Sequence, residues 1–246
     1  RWHLESGSRD VPMVGLSLPL AFSHDGRFMV GRVDDGLGIW KAQTSIKVAT
    51  IVTEIVEDDD FVPLTIGFMP GDQQVFATET PHVAAYDTVI RTWNWRQNQS
   101  TEVIEPRKST ITIDTHNHLM ALGNYDGSVS IWDAEKKLFV NRFVARDAHI
   151  LLRIKFIQDG KQFVTAGMNQ VVMIHDSETG ETLTSLIGHQ GEIAGMDATR
   201  EGTIVTGSHT DGSLKLWAAE SKRQPKRVQD ALAFGYDLDS GKLIYG

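Results

Sequence analysis

The sequence contains no cysteine, so disulfide bridges, thiolate catalysis and thiolate zinc ligation are all excluded, while the compartment stays open. No apolar run reaches the about 18 residues that a membrane-crossing helix needs, and residues 1–10 lack the basic start and apolar stretch of a secretory signal. No membrane insertion is expected, and a cytoplasmic location is favoured although no address signal names one. Positive charge is scarce: 24 Lys and Arg stand against 32 Asp and Glu, a formal net charge of −8. That balance argues against general nucleic-acid binding and against affinity for anionic membranes. No amphipathic segment of about 10 residues or more shows helical periodicity. Neither a glycine-rich phosphate loop nor a Ser-His-Asp set can be assembled. What is there is 246 residues, 41% of them apolar, enough for one sizeable core or two. The first residue is not Met and the chain stops at Ile244-Tyr245-Gly246, within an apolar run, so it reads as a piece of a longer protein.

The chain resembles itself. Trp40, Trp93, Trp132, His175 and Trp217 each close a short alternating run, as in Gly127-Ser128-Val129-Ser130-Ile131-Trp132, at successive steps of 53, 39, 43 and 42 residues. Six positions ahead of each stands a turn-forming residue: Asp34, Asp87, Asp126, Asn169 and Asp211. Asp and Asn bond their own backbone and tolerate tight-turn geometry, and the residues after them alternate as a strand does. Upstream comes another apolar run that ends on a polar turn, such as Leu152–Ile157 before Gln158-Asp159-Gly160-Lys161. Downstream come a polar turn and one more strand, as in Ser177–Leu183. Four short antiparallel strands in a period of about 40 to 45 residues make a propeller blade. The expected fold is therefore all-β, a single β-propeller over residues 1–246 built from four-stranded antiparallel blades. Five blades are full. A sixth is split between the ends, with Arg1–Gly7 as a third strand and Ala231–Gly246 as a first and second, and a seventh is allowed in the parent chain.

These residues resemble the WD-repeat family, whose blades close with Trp-Asp. Ile131-Trp132-Asp133 carries the pair intact; His175-Asp176 keeps the acid, while Trp40-Lys41, Trp93-Asn94 and Trp217-Ala218 keep the Trp. The family's Gly-His pair, which precedes a blade, occurs as Gly188-His189. The resemblance implies one complete structural hydrogen-bond network made by His189, Thr206, Asp211 and Trp217. It implies partial ones around Asp34 and Trp40, around Asp87 and Trp93, and around Asp126, Trp132 and Asp133. It also implies that partners bind on the face formed by the turns between second and third strands. The residues just before the turn acids project there: Val33, Tyr86, Tyr125, Met168 and Thr210. Two tyrosines in consecutive blades followed by a methionine make a binding arc, because Tyr covers a large area and keeps a polar tip, and Met adapts its shape.

Asp114-Thr115-His116-Asn117-His118 has the His-x-His spacing of a metal site, but in the repeat register it fills a turn between first and second strands, so no metal is expected. The Asp-x-x-x-Gly runs at Asp176–Gly180 and Asp237–Gly241 resemble turns of quinone-dependent dehydrogenase propellers. The Trp-Gly signature that those enzymes repeat is missing, so no cofactor is expected either. Glu57-Asp58-Asp59-Asp60 reads as a solvated insertion between blades, and Lys222-Arg223-Gln224-Pro225-Lys226-Arg227 as an outer strand whose edge is protected by charge and Pro. The expected function is non-catalytic: a protein-protein interaction scaffold that binds other proteins or peptides on a propeller face. The alternative is a regulatory or targeting propeller module of a larger enzyme, a kinase or a nucleotide-hydrolysing switch. Oligomeric state is not legible.

Overall fold

A computed structural model describes residues 17–34, 36–53, 65–79, 88–144, 150–219, 226–228, 234–237 and 242–245. The expected Arg1–Gly7 strand, the Glu57–Asp60 insertion, Tyr86, Asp87 and residues 222–225 of the basic run lie outside them. The fold is all-β. β1 (Ser17–Phe22), β2 (Phe28–Val33), β3 (Gly36–Lys41) and β4 (Lys47–Val52) form the first sheet, and β5 (Ile66–Phe68), β6 (Gln74–Glu79), β7 (Val89–Asn94) and β8 (Gln99–Ile104) the second. The third consists of β9 (Thr110–His116), β10 (Leu119–Asn124), β11 (Ser128–Asp133) and β12 (Leu138–Val144). The fourth consists of β13 (Leu151–Ile157), β14 (Gln162–Gly167), β15 (Val171–Asp176) and β16 (Thr182–Ile187). The fifth holds β17 (Gly195–Ala198), β18 (Thr203–Ser208), β19 (Ser213–Ala218) and β20 (Lys226–Val228). Each sheet is a meander of strands in chain order, the form of a propeller blade. The last hairpin, β21 (Phe234–Asp237) with β22 (Lys242–Tyr245), pairs Tyr236 with Leu243, in line with a first and second strand after residue 231. Lys226 and Arg227 fall in the outer strand of the fifth sheet, as their charge suggested. Among the described residues no helix is long and apolar enough to cross a membrane.

Turn chemistry sets the strand order. In the turn before β11, Asp126 accepts from the Ser128 amide at 3.0 Å and its hydroxyl at 2.5 Å; before β19, Asp211 accepts from the Ser213 amide at 2.9 Å and its hydroxyl at 2.6 Å. Gly127 and Gly212, at φ 79° and 64°, take the left-handed position that follows each acid. Between third and fourth strands the ladder slips by a residue just before the closing aromatic, between Ile39 and Trp40, Ile131 and Trp132, and Ile174 and His175. The same irregularity in three sheets marks a β-bulge that re-aims the closing side chain.

The chain divides into two compact units, Arg1–Glu79 with Ile90–Val103, and Thr80–Val89 with Ile104–Gly246. In the first, Val30, Leu37, Ile39 and Ile51 of the first sheet meet Phe68, Val75, Trp93 and Trp95 of the second. In the second unit one core joins Ala121, Val129 and Ile131 to Leu151, Ile154 and Phe156. Another joins Val164, Val172 and Ile174 to Met196, Ile204 and Trp217. The first strands β9, β13 and β17 pack side by side. Asp114, Lys155 and Asp197 occupy equivalent positions on them, opposite Ala121, Val164 and Val205. The Lys155 ammonium lies 3.3 Å from Asp114 and 3.4 Å from Asp197. The Asp114 charge, against the opposing effect of burial and aided by Asp197, holds that lysine above its ordinary value.

Candidate functional site

The fifth sheet holds a polar chain through its core. The Trp217 indole N–H donates to Thr206 Oγ1 at 2.8 Å, Thr206 Oγ1 lies 2.8 Å from His189 Nε2, and His189 Nδ1 lies 2.7 Å from Asp211 Oδ2. The Gln190 amide also donates to Asp211 Oδ2, at 2.8 Å. This chain ties the approach to the sheet, its second strand, its tight turn and its third strand into one rigid frame. Burial would raise the Asp211 carboxyl, but the hydrogen bonds from Ser213, Gln190 and His189 outweigh it and hold the group far below the usual carboxylate range. Burial lowers His189 more than its bond to Asp211 raises it.

The neighbouring sheets keep parts of this frame. In the fourth, His175 stands where the others have Trp and its Nε2 lies 2.9 Å from Thr165, the counterpart of Thr206. It stacks on Phe163 with ring centroids 4.8 Å apart, and burial lowers it to about 4. In the third, Leu122 occupies the corresponding position, and the buried Trp132 indole N–H has no partner among the described residues. The residue after the aromatic has a separate duty. Asp133 Oδ1 accepts from the Glu135 and Lys136 amides, and Asp176 Oδ1 from those of Glu178 and Thr179. Asn94 Oδ1 accepts from Arg96 and Gln97 in the same way, so Trp93-Asn94 preserves the turn lock that a search for acids alone passes over. Trp40 is buried against Met29 and Ala42.

The frame presents the turns between second and third strands. Tyr125 is 56% exposed and Met168 46% exposed, and Thr210 is exposed too. Within the second unit these three turns are linked by short contacts. Gly123, two residues before Tyr125, approaches Leu151 so closely that a Cβ there would lie 3.5 Å from the Leu151 Cβ. The Met168 amide donates to Ile150 at 3.2 Å, the Ile193 amide to Gly167 at 3.1 Å, and Gly191 lies against Thr210. Tyr125, Met168 and Thr210 therefore stand on adjoining turns at one end of the unit. Val33, in the first unit, is only half exposed and packs against the cluster of Met29, Trp40 and Ala42. His116 and His118 serve different neighbours: the first ring packs on Phe156 and the second lies 3.8 Å from Asp133. Among the described residues no group of three or more His, Asp or Glu has the geometry to hold a metal ion.

A family model described as WD domain, G-beta repeat matches residues 180–218, a span that runs from the start of β16 through β19 and so is offset by one strand from the sheet. The chain is 25% identical over 148 residues to the anaphase-promoting complex subunit cdh1 of Dictyostelium discoideum, covering 57% of this chain and 19% of that protein. It is 21% identical over 167 residues to the nuclear distribution protein PAC1 of Arthroderma benhamiae, covering 63% and 36%. It is 30% identical over 73 residues to eukaryotic translation initiation factor 3 subunit I of Pyricularia oryzae, covering 30% and 21%. The chain thus spans well under half the length of each of these relatives.

Proposed function

We propose that the chain is a WD-repeat protein and a non-catalytic scaffold in which one propeller over residues 1–246 captures proteins or peptides on its turn face. The observation that carries the reading is the exposure of Tyr125 and Met168 on adjoining turns, the first of them held by Asp126 on Ser128 and by the buried Asn124, which accepts from Thr110 and donates to Ser128 and Ser130. Tyr125 buries a large area for two rotatable bonds, and Met168 adapts its shape to a partner at some cost in rotamer freedom. The working groups are Tyr125, Met168 and Thr210. His189, Thr206, Asp211 and Trp217 act only through the frame. A second reading, a regulatory module of a larger assembly, draws on the relative named as a subunit of the anaphase-promoting complex, of which this chain spans 19%.

The test is affinity capture from a lysate of the source cells with three baits: the wild-type chain, the double variant Tyr125→Ala with Met168→Ala, and a charge variant on the outer strand β12. The expected result is a discrete partner on the wild-type and β12 baits and at least about tenfold less on the double variant. Equal capture by all three would remove the turn face from the mechanism.

A further inference from the structure

Among the described residues at this end of the second unit some cations are paired with carboxylates, while Arg107, Arg142 and Arg153 have none at ion-pair distance. Lys108 pairs with Asp126 at 2.5 Å, and His209 lies 3.5 Å from Glu192. Lys155 is held between two carboxylates. Arg153, two residues before Lys155 and on the same side of β13, is exposed. It donates from Nη1 to the Leu152 carbonyl at 2.6 Å and has no carboxylate at ion-pair distance among the described residues. It is a cation at any physiological pH. Arg107 is exposed on the loop that leads into β9 and likewise has no carboxylate at that distance among the described residues. The same loop supplies the Ser109 carbonyl that accepts from the Tyr125 amide at 2.8 Å.

The register places these cations beside the apolar anchors. Arg153 is paired with Ala166, two residues before Met168, and Leu151, two residues before Arg153, adjoins the turn of Tyr125. A guanidinium binds a carboxylate through two parallel N–H···O bonds, and such bonds strengthen when a partner covers them and excludes water. The chain as a whole carries a net charge of −8, so most of its surface repels an acidic segment. An acid is welcome at few places, and a place that accepts one fixes the register of the bound segment.

We propose that this end of the second unit binds an extended protein segment in which an Asp or Glu side chain adjoins a large apolar one. The carboxylate meets Arg153, with Arg107 adding long-range attraction, and the apolar side chain seats on Tyr125 and Met168. This deepens the turn-face reading and rests on it.

The experiment is selection of a phage-displayed library of twelve-residue peptides on the complete chain. Affinities of the selected peptides are then measured for the wild type, Arg153→Glu, Arg153→Gln, and Tyr125→Ala with Met168→Ala, each first shown by circular dichroism and melting to be folded. Enrichment of Asp or Glu beside Leu, Ile or Phe is expected. Arg153→Glu should weaken the selected peptides by at least about tenfold, and Arg153→Gln by less, while replacing the peptide's acid with its amide should reproduce the loss on the wild type. Selected peptides without an acid, affinity unchanged in Arg153→Glu, or no enrichment at all would overturn the inference. So would a phosphoserine peptide that binds more than tenfold tighter than its Glu counterpart, which would make the site one for phosphate. Loss of binding in Tyr125→Ala with Met168→Ala but not in Arg153→Glu would leave the turn face standing and remove the acid; peptides that bind every variant equally would remove both.

Discussion

Trp132 and Trp217 close equivalent strands and are both buried, yet among the described residues only Trp217 has an acceptor for its indole N–H. A buried hydrogen bond contributes about 1 kcal/mol net, and an orphaned donor costs a similar amount. Urea unfolding should therefore show Trp217→Phe losing about 2 kcal/mol more than Trp132→Phe, since the first change removes a hydrogen bond and the second an unsatisfied group. Equal losses would mean that the polar chain through the fifth sheet adds nothing beyond packing. His175 gives a pH signature. Its value is lowered to about 4 by burial, so between pH 6.5 and 4 the unfolded chain binds a proton that the folded chain refuses. Stability is then full above pH 6.5 and falls on acidification through that window, by up to about 3 kcal/mol for this group. His189, also lowered, acts in the same direction. In His175→Gln the slope of stability against pH should flatten without vanishing; an unchanged slope would assign it elsewhere. At this scale the sequence was legible through its resemblance to the WD repeat, which implied the bonded set of His189, Thr206, Asp211 and Trp217. It was silent on Leu122, because the loss of a hydroxyl from a second strand is invisible until the ladder shows which residue faces Trp132.

The unit of construction is the meander and its turns, and there the sequence pattern carried furthest: a turn acid or amide six residues ahead of a closing aromatic lies in a four-stranded sheet each time it falls on described residues. What it missed is the duty of the residue after that aromatic. Asp133, Asp176 and Asn94 all accept two successive backbone amides of the turn that follows. Acceptor geometry, not charge, is what the turn needs. Asp133→Asn should therefore melt close to the wild type and Asp133→Ala several degrees lower in calorimetry; a drop as large in Asn as in Ala would make the Lys136 ion pair the dominant contribution. The row of Asp114, Lys155 and Asp197 was also beyond sequence reasoning, because it exists only once three first strands lie side by side in register.

For the whole molecule, the frame and the face are separable. Tyr125 and Met168 are exposed, so Tyr125→Ala with Met168→Ala should leave the melting temperature within a degree or two of the wild type, whereas Asp211→Ala should lower it clearly. Matching losses would merge the two roles. The architecture was legible because it repeats, and a repeat multiplies a weak local signal. The choice of partner was not, because it depends on which exposed side chains lie together and which charges go unmatched, as with Arg153. Hydrogen–deuterium exchange across the chain, free and with a captured partner bound, tests the central claim most directly. Exchange should slow at the turns 124–127, 167–170 and 208–212 and stay unchanged in β12 and β16; slowing confined to those outer strands would contradict the account.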